Sequence, residues 1–536
     1  MTINKTKVVL SDKHKNFMGG NSFDIHDPIL ELMCISASSF FGEPAYYDGQ
    51  KPHGKRLGHA MFGNTLSYED YKHLREVLDV DDRYFIEIDN ELDHAQIMEK
   101  SIDVALDFDA KETLRWAVTL RKEENIRVTP QVIMVRAANH PKVRGTGMIR
   151  EFAPNIILRA DEPATQMAYQ LAAFGKPFPK ALQRSWADFL AGATEYQLTK
   201  YRMEGRVVKT VDVANMAFGK GFYGYDLPVG KLLRGELSFG DNIKTWESIR
   251  SGGGDWKDAV KVMGHMALLR NIRNFVQNGV DTSLWLKKLV STAEKGKQLP
   301  FRYLSAYMAN KEQAPEYVLD AIEECLMLSM KNLPTLPGKS LVLSDNSGSA
   351  RQCPISELGT MSVAQIGNLM GVLTGYISDE CLHGVFGDRV AYTPIRKRSS
   401  VLDQTEEIDR LGDTVGAGTE NGIWLALSQA INEKTHWDNI FIYSDMQAGH
   451  GGLYGIDMNN YKDYWWEGNR YIDVAKMIRD YRNQVNKKVN VFMVQTAGYK
   501  DTLVPEYYDR TFILGGWSGS IFRFARKMID ISNIRG

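Results

Sequence analysis

At 536 residues the chain exceeds what one hydrophobic core serves, so two or more domains are expected. Hydrophobic residues make up 43% and charged residues 24%, an ordinary globular composition, and a formal net charge of −1 excludes a chain-wide basic surface: any nucleic-acid-binding face is local. The four cysteines, Cys34, Cys325, Cys353 and Cys381, lie far apart without C-x-x-C spacing. This argues against a zinc site or a disulfide framework and agrees with a reducing cytoplasm. No apolar run approaches the length of a membrane span, and the N-terminus lacks the apolar core of a signal peptide, so a soluble, cytoplasmic protein is expected.

Taken in order, residues 1–20 are polar and read as a mobile segment. Pro28 to Ile35 is apolar and periodic. From about Asp103 the pattern is helical. Thr129-Pro130 places Thr at an N-cap with Pro at the first helical position, and Asp161-Glu162-Pro163 opens the next run. Helices are further expected at Ala181–Ala193, Val211–Phe218, Trp256–Val276 (capped by Asp255), Leu284–Glu294, Pro300–Ala309 and Pro315–Met330. Consecutive helices of modest length, each with one apolar face, indicate stacked helix pairs of the α-solenoid kind. The pattern changes near Asn332–Gly338. Beyond it Leu341–Leu343, the segment Val385–Thr393, Ile440–Ser444 and Val489–Val494 read as buried strands, alternating with helices at Ser362–Ile377, Gly422–Ile431 and Tyr471–Val485. That alternation is the signature of a doubly wound α/β domain. The expected domains are thus 21–335, helical, and 338–536, α/β.

Chemistry concentrates where those strands end. Leu341–Leu343 delivers Asp345-x-Ser347-x-Ser349 at its carboxyl end, the place where open α/β sheets bind ligands. One carboxylate and two hydroxyls suit a hard divalent cation such as Mg²⁺, which takes oxygen ligands and keeps some of its waters. Gly416-Ala417-Gly418-Thr419 offers a further hydroxyl near a helix start, and Ile440–Ser444 ends in Asp445. The ordered set Asp345, Ser347, Ser349, Thr419 and Asp445 resembles the metal-ion-dependent adhesion site of von Willebrand factor A domains, with Ser444 where a Thr often stands. The resemblance implies Mg²⁺ or Mn²⁺ with one coordination position left for an acidic group of a partner. His450-Gly451-Gly452 follows closely and is read as a plain loop. The aromatic group Tyr461, Tyr464, Trp465 and Trp466 is read as a core or inter-domain contact.

A helical domain followed by such an A domain, at this length, resembles the Ro ribonucleoprotein family, whose helical part is the TROVE module. The stretches Ser36-Ala37-Ser38-Ser39-Phe40-Phe41-Gly42-Glu43-Pro44-Ala45-Tyr46-Tyr47, Ala181-Leu182-Gln183-Arg184-Ser185-Trp186-Ala187-Asp188, Thr199-Lys200-Tyr201 and Ala267-Leu268-Leu269-Arg270-Asn271-Ile272 carry the likeness, in that order. The resemblance implies HEAT-like repeats closed into a ring with the A domain bridging its ends. It also implies small non-coding Y RNAs on the outer surface, single-stranded ends of misfolded RNA in the central hole, and, in bacterial members, association with exoribonucleases. Glu204 stands where the family has an Arg, and Phe218 where it has a His.

The residues themselves offer cations for phosphates interleaved with aromatic side chains for stacking: Lys200, Arg202, Arg206, Lys209, Lys220, Lys231, Arg234, Arg270 and Arg273, among Tyr201, Phe218, Phe222, Tyr223, Tyr225 and Trp246. The alternative is a set of solvated helix faces over core aromatics. No His-Glu-x-x-His, nucleophile elbow or phosphate loop occurs among 11 scattered histidines, and Ser251-Gly252-Gly253-Gly254 lacks the Lys-Ser/Thr of a P-loop. The leading expectation is a non-enzymatic RNA-binding scaffold. The alternatives are a metal-dependent protein-adhesion scaffold and a metal-assisted nuclease.

Overall fold

The computed structural model describes residues 8–9, 13–15, 21–25, 27–39, 41, 94–218, 226–239, 244–331, 333–352, 354–355, 361–417, 422–446, 474–498, 501–502, 506–507 and 510–535. The chain divides into two compact units, one comprising Met1–Ser39, Ala45–Tyr47 and Ala293–Gly536, the other Phe40–Pro44 and Asp48–Thr292. Of the segment 1–20, β1 (Val8–Val9) and β2 (Lys13–Lys15) are described; β2 pairs with β3 (Asn21–Asp24). The helix α1 (Pro28–Ala37) follows, started by Asp27, whose Oδ1 accepts from the Ile29 and Leu30 amides at 2.9 and 3.0 Å.

The helical unit runs through α2 (His94–Lys122), α3 (Thr129–Asn139), α4 (Met148–Ile156), α5 (Glu162–Ala173), α6 (Lys180–Ala191), α7 (Glu195–Lys200), α8 (Thr210–Phe218), α9 (Pro228–Leu233), α10 (Trp246–Ser251), α11 (Trp256–Val262) and α12 (His265–Gln277); α13 (Thr282–Gly296) reaches its boundary. Helices adjacent or next but one in sequence pack on each other, as in a solenoid. Their apolar stripes meet in a core that includes Leu106, Val132, Ile156, Leu182 and the fully buried Trp186. The large polar groups at its centre bond to one another: Trp186 Nε1 donates to Gln166 Oε1 at 2.7 Å, and Gln166 Nε2 to Gln131 Oε1 at 2.7 Å. Glu162 pairs with buried Arg121 at 2.7 Å and accepts from the Leu158 and Arg159 amides.

Three local expectations are corrected here. Thr129 is not an N-cap: the helix is preceded by Val128, and the Thr129 hydroxyl is buried without a partner, so the start rests on Pro130 and on Gln131, whose amide reaches the Ile156 carbonyl at 3.1 Å. Trp256–Val276 is two helices, α11 and α12, because Met263 is extended and Gly264 begins the second. Asp255 does cap α11, accepting from the Asp258 amide at 2.9 Å. Val385–Thr393 is not one strand but the turn of an antiparallel hairpin, described below.

In the other unit, α14 (Pro300–Asn310) and α15 (Glu316–Ser329) precede β4 (Leu336–Asp345), α16 (Gly348–Gln352), α17 (Val363–Ile377), β5 (Ser378–Phe386), β6 (Val390–Pro394), α18 (Val401–Gly412), α19 (Gly422–Asn432), β7 (Asn439–Ser444), α20 (Val474–Gln484), β8 (Asn490–Gln495), β9 (Asp501–Thr502), β10 (Glu506–Tyr507), β11 (Thr511–Gly515) and α21 (Ser520–Arg535). The helix-to-strand change falls at the expected 332–338, but the compact units part earlier, at residue 292, so α14 and α15 belong with the sheet. Strands run in the order β11-β8-β7-β4-β5-β6, all parallel except β6, which returns antiparallel beside β5. Both faces are covered at the centre of the sheet, so β7 and β8 are buried along their whole length. One face presents Leu341, Leu343, Ile440, Ile442, Val491 and Met493 to α19 and α20. On the other, Phe441, Phe492 and Phe512 stand in register across β7, β8 and β11 and stack at 4.6 and 5.1 Å. Among the described residues no helix is long and apolar enough to cross a membrane.

Candidate metal centre and nucleic-acid interface

β4 is followed on one side by β5 and on the other by β7, so the direction of winding reverses between β4 and β7 and leaves a crevice at their carboxyl ends. Into it β4 delivers Asp345, the turn into α16 delivers Ser347 and Ser349, and β7 delivers Asp445. These four expected ligands form one connected group. The Ser347 amide donates to Asp345 Oδ1 at 3.0 Å, the Ser347 and Ser349 hydroxyls lie 3.1 Å apart, and Ser349 Oγ donates to Asp445 Oδ2 at 3.1 Å. Ser444 Oγ, at the end of β7, donates to Asp345 Oδ2 at 2.6 Å. Thr419 lies outside the described residues. Its loop is anchored two residues earlier, where the Gly348 amide donates to the Ala417 carbonyl at 2.7 Å. Gly422, which opens α19 beyond that loop, must be Gly because a Cβ there would overlap the Phe386 ring.

Asp345 is only 2% exposed, and burial pushes its carboxyl pKa up against the hydrogen bonds from Ser444 and Ser347. The donor set is all oxygen, two carboxylates and two hydroxyls, which fits Mg²⁺ or Mn²⁺ and not a soft ion. Among the described residues no three His, Cys, Asp or Glu side chains gather in one place, so a thiolate- or imidazole-based centre has no counterpart there.

Beneath the loop lies a polar layer that sequence reasoning missed. Asn346, fully buried between two of the ligands, donates to Asn368 Oδ1 at 2.9 Å and accepts from Asn368 Nδ2 and Arg351 Nη1 at 3.0 Å each. Arg351 also reaches the Asp409 carbonyl at 3.2 Å and pairs with Asp413. Ser344 Oγ donates to Asn368 at 2.7 Å and sits 2.8 Å from Nε2 of the buried His383. The one available signal was Asn368 in the middle of an otherwise apolar helix.

The cations divide by what they touch. Lys200 Nζ stands 5.8 Å from the ring centroids of both Tyr196 and Tyr201, and Arg159 stacks over Tyr201 at 4.4 Å. Arg159 was not foreseen, because it lies well upstream of the basic stretch. Arg202 is turned inward, donating to the Leu237 carbonyl and pairing with Glu204 at 3.3 Å. Lys231 pairs with Glu195 at 3.3 Å and Arg234 with Glu236 at 2.7 Å, the latter bond holding the Arg234 pKa up and that of Glu236 down. Arg206 is half-buried and Lys209 exposed. Arg270 and Arg273 project from the exposed face of α12, one turn apart, and among the described residues neither is in an ion pair. Lys220, Phe222, Tyr223 and Tyr225 lie outside the described residues, as do His450-Gly451-Gly452 and the aromatic group 461–466.

No protein-family model matches the chain. Nor does any curated protein. Among solved structures it matches the Ro (RSR) protein of Deinococcus radiodurans, with a TM-score of 0.50 and 14% identity over 80% of this chain and 93% of that one. The chain has the Ro fold. The expected likeness to the Ro proteins therefore holds for architecture: a helix-rich region followed by a mixed-sheet α/β domain. At this identity the likeness extends to the fold alone.

Proposed function

We propose that the chain is an RNA-binding scaffold of the Ro type without chemistry of its own, acting in the cytoplasm on small non-coding RNA or on single-stranded ends of structured RNA in quality control, maturation or decay. The observation that carries this reading is the Ro fold together with cations left to solvent on its helical unit, Lys209, Arg270 and Arg273, and Lys200 beside Tyr196 and Tyr201. Cations of this kind track phosphates, and the tyrosines offer faces to bases. Arg159, Arg202, Lys231 and Arg234 contribute less, because each is already engaged by the protein, Arg159 by Asp161 at 2.8 Å.

The sheet unit adds a second element. Asp345, Ser347, Ser349 and Asp445, with Thr419, would hold Mg²⁺ or Mn²⁺, and a cation so bound supplies an open position for a carboxylate of a protein partner, an exoribonuclease being one such partner. Hydroxyl-rich ligation provides no general base beside the cation, which supports a binding role over a nuclease.

The test is binding of fluorescent single-stranded RNA across a salt series. Arg270→Ala with Arg273→Ala should weaken binding and flatten the log–log salt slope by about 1.4, at roughly 0.7 per lost phosphate contact. Asp345→Ala should leave RNA binding intact and abolish metal-dependent capture of a partner. RNA affinity indistinguishable from that of a neutral control protein would overturn the RNA reading and leave the adhesion scaffold in its place.

A further inference from the structure

The helix α18 is tied at both ends. Its first turn is seated on the α14–α15 hairpin: Glu323 of α15 accepts from the Ser400 hydroxyl at 2.7 Å and from the Val401 and Leu402 amides at 2.6 and 3.1 Å. These are amides that the helix itself cannot satisfy. Tyr307 of α14 donates to Asp403, and Lys311 pairs with Glu406. Its last turn holds the metal loop. Asp409 receives Asn368 at 3.3 Å, Gln365 at 3.2 Å and Arg351 through its carbonyl at 3.2 Å, while Gly412 lies so close to Asn346 that a Cβ there would overlap the Asn346 side chain. Asn346 in turn is the fully buried residue between Asp345 and Ser347.

With 12 residues, α18 spans about 18 Å between these two clamps. A helix of that length pinned by several partly buried hydrogen bonds at each end moves as a unit, because its polar clamps are costly to leave unmade. We propose that α18 is a rigid tie through which the α14–α15 hairpin positions the metal loop, with Glu323 and Asp409 as positioning residues, so that releasing the far clamp loosens the loop and weakens divalent-cation binding. The metal half of this statement rests on the proposed cation site; the mechanical half does not.

Two readouts separate them. In the full-length, cation-free chain, Glu323→Gln should speed amide exchange at Ser347 and Gly348 about tenfold, since those amides are held by Asp345 and by the Ala417 carbonyl. With Mn²⁺ alone as the probe, the same variant should raise Kd about threefold to tenfold. Adding Arg351→Met to it should raise Kd by less than the product of the single effects, because both act through one path. Ile322→Val, buried in the same helix but outside the clamp, should lose stability without moving Kd or loop exchange. Unchanged loop exchange in Glu323→Gln would overturn the tie itself. Loop exchange that rises while the wild-type chain binds no Mn²⁺ would uphold the tie and overturn only its metal half, together with the cation reading.

Discussion

His383 offers the sharpest prediction about the polar layer under the metal loop. It sits on β5, fully buried, with Nε2 2.8 Å from Ser344 Oγ, Nδ1 without a partner, and its ring against Gly371 and Val342. Asn368 of α17 and Asn346 are the other polar side chains on Ser344 Oγ, and no charge acts on the ring, so burial alone pushes its pKa from 6.5 to about 3. The sign follows from proton counting. Below about pH 6.5 the unfolded chain takes up a proton that the folded chain refuses until about pH 3, so stability falls as pH drops through that window. The loss is about 1.4 kcal/mol per pH unit and approaches roughly 5 kcal/mol at the bottom of the window. In spectra of chain labelled with ¹³C at histidine Cε1, one of the 11 histidines should stay neutral down to about pH 4.5. That signal should vanish in His383→Gln. Urea unfolding of the variant's sheet unit should then lose about 2–3 kcal/mol less than wild type between pH 6.5 and 4.5. Titration of every histidine between pH 5.5 and 7.5, or an unaltered pH slope in the variant, would refute the reasoning.

Elsewhere, Glu162→Ala should destabilise the helical unit by about 3–5 kcal/mol, seen in urea unfolding, because it leaves buried Arg121 uncompensated and the Leu158 and Arg159 amides without their acceptor. Gly515→Ala should dislodge α1 from β11, since a Cβ at that position would overlap the Cys34 backbone. Cys34 is fully buried and its thiol pKa is raised by burial, so it should resist alkylation in the wild type and react readily in the variant.

What the sequence revealed depended on how locally each feature is written. Asp345, Ser347 and Ser349 fall within five consecutive residues at the end of an apolar run, and Asp445 ends another, so the residues that the structure brings together in the candidate metal site were legible from strand-end chemistry. The layer that holds the loop was not, because Asn346, Asn368, Asp409 and Arg351 come from separate elements and only packing assembles them. The helix α18 escaped notice because Asp403, Glu406, Glu407, Asp409 and Arg410 dominate its composition and its apolar stripe is narrow. The α11–α12 break turned on one residue, Gly264, inside a run whose apolar spacing is otherwise continuous. The nine foreseen cations illustrate the opposite limit: sequence counts charges, but only the structure tells Arg202, spent on Leu237 and Glu204, from Arg270 and Arg273, left to solvent.

The central claim is that this chain carries RNA, and the most direct measurement is to purify it from its own cells at low salt, extract the bound nucleic acid and sequence it. The account predicts recovery of one or a few discrete small RNAs, reduced when Arg270 and Arg273 are replaced by Ala and retained when Asp345 is. Recovery of no RNA above that of a neutral control protein, from wild type and variants alike, would contradict it.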